Sequence, residues 1–219
     1  MLVRERYRRR PLGIVALVLF VALYVAELVN PAWLPHLNER LTLLAIGQVT
    51  QTKTTFLNVI NILSNSTMAL IYTAILMVVL WAMRWKIPAL WVGLTVSLGL
   101  VLAWVLRWGA RMITGDIQYG TSYSFPGLHV LGMVLLMEIV YAIFLPYFRD
   151  RALAILVGFV LLVWLLATVE ACIYFGANKP MDAVGALLLG FFWVAFVSIV
   201  YRSVAHRLQR IPLLKDSNF

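Results

Sequence analysis

Long apolar runs, separated by short polar or charged breaks, set the plan of this chain. The runs are Leu12 to Val29, Thr67 to Met83, Ile87 to Leu106, Val130 to Tyr147, Ala152 to Tyr174 and Ala183 to Tyr201. Each approaches the ~20 residues that a helix needs to cross the hydrocarbon core of a bilayer. The pattern predicts an all-α, polytopic membrane protein with a six-transmembrane-helix bundle. Between the first two runs, Asn30 to Ser66 is less hydrophobic, and Pro31 and Pro35 punctuate its start. From Leu37 to Leu63 apolar residues recur at helical spacing with Asn, Thr and Gln between them. That spacing predicts one or two extra amphipathic helices on the outer surface, either a lid over a site or a connector lying on the bilayer.

Composition agrees with the pattern. The chain is 63% hydrophobic and 12% charged, against roughly half and a quarter in a soluble domain. Its 219 residues suit one membrane domain, 1–219. The single cysteine, Cys172, excludes an internal disulfide and a cysteine-based metal cluster, and no cofactor or metal is expected.

Charge sets the orientation. The net charge of +9 is explained by basic cytoplasmic loops, not by nucleic acid. Of the 18 Arg and Lys residues, 13 fall on one side of the six-span layout. These lie in the N-terminal segment, the turns Arg84-Trp85-Lys86 and Arg149-Asp150-Arg151, and the C-terminal segment. The rule that positive charge stays inside then makes 1–11 and 202–219 cytoplasmic tails. The first run reads as a retained span, since it lacks a small-x-small cleavage site. The loops Arg107 to Leu128 and Phe175 to Met181 share the extracytoplasmic face. A multi-pass plasma-membrane protein is expected, and the brevity of the chain suits a bacterial inner membrane.

Those two loops hold the candidate chemistry. Ser122 to His129 reads Ser-Tyr-Ser-Phe-Pro-Gly-Leu-His, a turn broken by Pro126 and Gly127 with His129 at the mouth of the next span. A histidine there can donate a proton; a plain reading makes it a helix-capping residue. Arg107, Arg111, Thr114, Asp116, Ser122, Ser124, Asn178, Lys179 and Asp182 share its face. The two arginines, one helical turn apart, and Lys179 suit an anion, with His129 as acid and Asp182 orienting a partner.

At these residues the chain resembles the type 2 phosphatidic acid phosphatase family, which is related to the vanadium haloperoxidases. That family carries lysine, six residues, Arg-Pro; then Pro-Ser-Gly-His; then Ser-Arg, five residues, His, three residues, Asp. Ser-Phe-Pro-Gly-Leu-His resembles the second part, and Ala171 to Asp182, followed by Ala-Val-Gly-Ala, resembles the third. The resemblance implies Arg107 in the lysine's place, His129 as general acid and Asp182 as the residue that orients the nucleophile. It also implies losses. Asn178 stands at the nucleophilic histidine, Thr114 and Cys172 at the phosphate-binding arginines, and Gly127, Leu128 and Ala171 at further motif positions. One lost transition-state donor costs roughly 3–4 kcal/mol, and an asparagine is no nucleophile.

The reading that follows is a degenerate lipid-phosphatase-like pseudoenzyme, not catalytic, that binds lipids or a partner. Its expected partners are membrane lipids, among them lipid phosphate head groups, or another membrane protein. One alternative is a lipid phosphate or pyrophosphate phosphatase with a rearranged site. A second is a small lipid or ion transporter, suggested by the acids Glu138 and Glu170 within the spans. Glu170 is expected to pair with Arg107 or Arg111 and so close the anion pocket. Glu138 is expected to face away from His129, and Glu27 to sit near the outer end of the first span.

Overall fold

The computed structural model describes residues 9–114, 124–144, 148 and 150–208. Among these the chain is all-α, with eight helices. They are α1 (Arg9–Val29), α2 (Trp33–Ile46), α3 (Gln51–Leu63), α4 (Ser66–Ala82), α5 (Lys86–Thr114), α6 (Leu128–Phe144), α7 (Arg151–Tyr174) and α8 (Pro180–Leu208).

Local chemistry sets several of the boundaries. Thr50, Asn65 and Asp150 each turn a side-chain oxygen onto a backbone amide at the start of α3, α4 and α7, the usual remedy for unpaired first-turn amides. The turn between α4 and α5 is closed by Arg84 at φ 61, with the Trp85 amide donating to the Leu80 carbonyl, as in a Schellman C-cap.

The helices pack as one bundle. α6 is the central element, touching α4, α5, α7 and α8, while α1 lies along α8. Small residues bring helices close: Gly132 of α6 sits against Ala69 of α4, and Gly13 of α1 against Ala195 of α8. Most of α6 is buried, whereas the middle of α7 presents Leu156, Phe159, Leu162 and Leu166 outward. Such an exposed apolar helix fits a hydrocarbon surrounding.

Among the described residues, four helices are long and apolar enough to cross a membrane: Pro11–Val29, Lys86–Thr114, Arg151–Tyr174 and Pro180–Tyr201. They correspond to the first, third, fifth and sixth predicted spans. The second, α4, passes only together with α3, across a 53° bend. The predicted fourth span is the shorter apolar helix α6, 17 residues long. Four or five candidate spans therefore stand where six were expected.

Other boundaries move as well. α5 continues through Arg107 and Arg111 to Thr114, so both arginines are helical and not part of a loop. α8 starts at Pro180 and runs on to Leu208, so the expected tail from Arg202 begins as helix. The amphipathic segment does form two helices, and α3 packs its Leu57 and Ile60 on Ala171 of α7. The expected extension of the fourth span to Tyr147, and Arg149, Asp116 and Ser122, lie outside the described residues.

Candidate functional site

The end of α5, the turn before α6 and the turn between α7 and α8 meet at one end of the bundle. Arg107, on α5, projects into the turn 124–127. Its Nη2 donates to the carbonyl of Ser124 and, at 2.9 Å, to that of Pro126. The guanidinium thus neutralises two backbone carbonyls that the cis Phe125–Pro126 turn leaves outside any helix.

Asp182 holds the same turn from α8. Its Oδ2 accepts the Ser124 hydroxyl at 2.5 Å and the Lys179 amide at 2.8 Å. The second bond closes over the first turn of α8, where a carboxylate meets the positive end of the helix dipole. The main chain adds another link, the Gly127 amide donating to the Asp182 carbonyl at 3.1 Å. Asp182 is 1% exposed, and among the described residues its Oδ1 has no hydrogen-bond partner.

Asn178 fills the space beneath. It is buried, its amide oxygen and nitrogen both lack partners among the described residues, and its Nδ2 would stand 2.1 Å from a Cβ on Gly127. No side chain larger than hydrogen fits at 127 while Asn178 keeps this position. Phe125 plugs the inner side of the turn, 1% exposed, stacked on Phe20 of α1 at 5.7 Å and lying over Gly185 of α8.

The structure thus brings together Arg107, Ser124, Asn178 and Asp182. His129 is half-buried on the first turn of α6, within electrostatic range of Arg107, and makes no hydrogen bond among the described residues. Arg111 lies one turn beyond Arg107, half-buried and engaged in interactions of its own. Lys179 contributes its amide to Asp182 while the residue itself is exposed. Thr114 returns its hydroxyl to the Ala110 carbonyl at 3.0 Å. Cys172 is buried in the core, and its carbonyl takes the Ala177 and Asn178 amides at 2.8 and 3.2 Å.

Glu170 corrects one expectation. It forms an ion pair, but with Lys53 of α3 at 2.9 Å and with neither arginine. The reason is packing: α7 lies against α2, α3 and α6, and α5 is not one of its main neighbours. Lys53 also donates to the Ala45 and Ile46 carbonyls at the end of α2. Beside it, the Thr54 and Tyr174 hydroxyls meet at 2.6 Å.

Two further residues reach the site without any signal in the sequence strong enough to single out their role. Asn38 of α2, buried, accepts the Met181 amide on the first turn of α8 at 3.0 Å. Glu27, in the last turns of α1, stands close to Asn38 and within electrostatic range of Asp182 and Lys179. α2 is therefore tied to the site from above.

Residues 103–205 match the family model described as PAP2 superfamily. The matched segment, just under half of the chain, holds Arg107, Ser124, His129, Asn178 and Asp182 and is similar to the PAP2 superfamily. The phosphatase resemblance read from the motifs is met by that match. Comparison with curated proteins and with solved structures gave no significant match. Among the described residues, no three His, Cys, Asp or Glu side chains are grouped to hold a metal ion.

Proposed function

We propose that this protein, whose residues 103–205 match the PAP2 superfamily, is a non-catalytic membrane protein that holds a lipid phosphate head group without hydrolysing it. The supporting observation is the use of Arg107. Its Nη2 is spent on the Ser124 and Pro126 carbonyls, so the residue in the place of the family's phosphate-binding lysine serves the turn. Asp182 is likewise spent on Ser124 and on the first turn of α8. Asn178 occupies the nucleophile's place and supplies no electron pair basic enough to attack phosphorus. The groups that support a contact with an anion are His129 and the exposed Lys179.

In this reading the chain crosses the plasma membrane six times, with both termini cytoplasmic and the site extracytoplasmic. α6, at 17 residues, is about 25 Å long, short of the ~30 Å hydrocarbon core but packed against the longer helices α5, α7 and α8. The distribution of Arg and Lys supports the orientation.

The test is a pair of assays on purified protein in detergent micelles. Phosphate release from phosphatidate stays at the level of a protein-free control, while phosphatidate raises the unfolding temperature more than phosphatidylcholine does. Release that His129→Ala abolishes would establish instead a phosphatase with a rearranged site. Equal shifts from both lipids would remove head-group binding.

A further inference from the structure

The hairpin of α2 and α3 turns an apolar surface outward. Leu43, Leu44 and Val49 around its tip are 65%, 78% and 67% exposed, and Phe56, Val59 and Ile62 of α3 are 59%, 49% and 52% exposed. In water such a contiguous surface is unfavourable, and it marks a contact with lipid or protein. The surface is graded along the hairpin. Gln51, Thr52 and Thr55 are the exposed side chains early in α3, whereas Phe56, Val59 and Ile62 dominate its later turns, with Asn58 among them. The ionisable side chains His36, Glu39 and Arg40 are exposed on the first half of α2 instead.

Three contacts fix how deep this surface lies. The Thr54 hydroxyl meets that of Tyr174, Leu57 and Ile60 pack on Ala171, and the Ser64 hydroxyl accepts that of Thr168 at 2.9 Å. α3 thus runs obliquely down α7, from Tyr174 at its end to Thr168, which is about 9 Å along the helix axis. α7, a candidate span of 24 residues, is about 36 Å long. Centred on a hydrocarbon core of ~30 Å, it overhangs by about 3 Å at each end, which sets Thr168 and Ser64 about 6 Å inside the hydrocarbon. The tip is held near the Tyr174 end, because Lys53 ties the Ala45 and Ile46 carbonyls to Glu170. The outward face of α3 is also continuous with the exposed apolar face of α7, which includes Leu162 and Leu166.

The break between α3 and α4 is built for that depth. The Ser64 amide donates to the Ile60 carbonyl at 2.9 Å. The Asn65 side chain donates to the Ile62 carbonyl at 3.0 Å and accepts the Met68 amide at 2.8 Å. Backbone groups released by the 53° bend are therefore met within the protein, the condition for a break at membrane depth. We propose that the α2–α3 hairpin is immersed in the leaflet on the side of the Arg107–Asp182 cluster, with Phe56, Val59 and Ile62 against its acyl chains. α3 and α4 are then one bent membrane passage. The segment is neither a lid standing in water nor a connector resting on the head groups. Its polarity gradient matches its depth: Gln51 and Thr52 lie at the interface, Ile62 lies in hydrocarbon, and the Lys53 ammonium snorkels between them.

The experiment uses the full chain in phosphatidylcholine vesicles. Cys172 is buried, so a nitroxide label goes to one introduced cysteine at a time: Glu39→Cys, Thr55→Cys, Ile62→Cys or Leu162→Cys, all at exposed positions. Collisions with dissolved oxygen, which concentrates in hydrocarbon, are compared with those of a water-soluble nickel chelate. The oxygen-to-nickel ratio is expected to rise from Glu39 to Thr55 to Ile62, and at Ile62 to approach that of the lipid-facing Leu162. A second measurement needs no substitution. Phosphatidylcholine with a photoreactive diazirine on its acyl chain should crosslink the wild-type peptide that contains Phe56–Ile62, but not the one that contains His36–Arg40. Nickel access at Ile62 equal to that at Glu39 would return the hairpin to water and overturn the proposal. Exclusion of both probes at Ile62, with no crosslink in the wild type, would mean that a second copy or another protein covers the face, and would overturn it equally. Neither readout involves phosphate release or head-group binding, so the result stands apart from the function proposed for the site.

Discussion

The Ser124 hydroxyl and the Lys179 amide share one oxygen of Asp182, at 2.5 and 2.8 Å. Through that oxygen the turn before α6 and the start of α8, distant in sequence, are fixed to each other. An aspartate that orients a nucleophile in related enzymes is here a joint between two segments. Asp182→Ala removes the helix cap and leaves Ser124 without its acceptor. The expected loss is about 2–4 kcal/mol, a cap plus a buried hydrogen bond. Asp182→Asn keeps an acceptor oxygen and loses less. Thermal unfolding in detergent compares the two, and equal losses would refute the joint.

Gly127 and Asn178 form a coupled pair. A Cβ at 127 would stand 2.1 Å from the Asn178 amide nitrogen, so Gly127→Ala is expected to cost about 1–3 kcal/mol by overpacking. Asn178→Ala is expected to cost little, since its buried amide groups have no partners among the described residues and their removal relieves a desolvation penalty. The double variant then recovers most of the Gly127→Ala loss. A double-mutant cycle on unfolding temperatures measures this, and additive losses would contradict the packing.

The sequence displayed much of this plan. Apolar runs located the helices because a membrane leaves the backbone few other choices, and the spacing of Asn178 and Asp182 survived well enough to show the family's third motif. Span lengths were less legible. Helical hydrogen bonding carries α5 past Arg107 to Thr114 and α8 past Tyr201 to Leu208, although hydropathy falls earlier. Partners were the least legible, because they depend on which helix faces pack. Glu170 was expected on an arginine of α5 and lies instead on Lys53 of α3. Asn38 looked like one polar residue in an amphipathic helix, and only the fold sets it on the Met181 amide.

Lys53 tests how α2 and α3 are fastened. Its ion pair with Glu170 is partly solvated, with side chains 27% and 42% exposed, and such a pair contributes only ~0.2–1 kcal/mol. Its bonds to the Ala45 and Ile46 carbonyls satisfy the otherwise open end of α2. Lys53→Met is therefore expected to destabilise more than Glu170→Gln. Amide exchange should rise at residues 45–50 in Lys53→Met and stay near wild type in Glu170→Gln. Equal exchange in the two variants would give the ion pair the larger part.

Cys172 tests whether the arginine that the family resemblance places at this position can be accommodated. The resemblance places an arginine there, yet Cys172 is 1% exposed in the main apolar core. A guanidinium at 172 with no counter-ion is a buried, uncompensated charge, and Cys172→Arg is expected to lose about 3–5 kcal/mol. Thr114→Arg, on an exposed turn of α5, is expected to stay within about 0.5 kcal/mol. If position 172 faces the place that binds phosphate in the family it resembles, phosphate or vanadate supplies the missing partner. The unfolding temperature of Cys172→Arg then rises with added anion, by the equivalent of about 2.7 kcal/mol at a hundred times its dissociation constant, while that of the wild type does not. An anion-independent loss in Cys172→Arg would mean that the core around α7 has closed over the place where phosphate binds in the family.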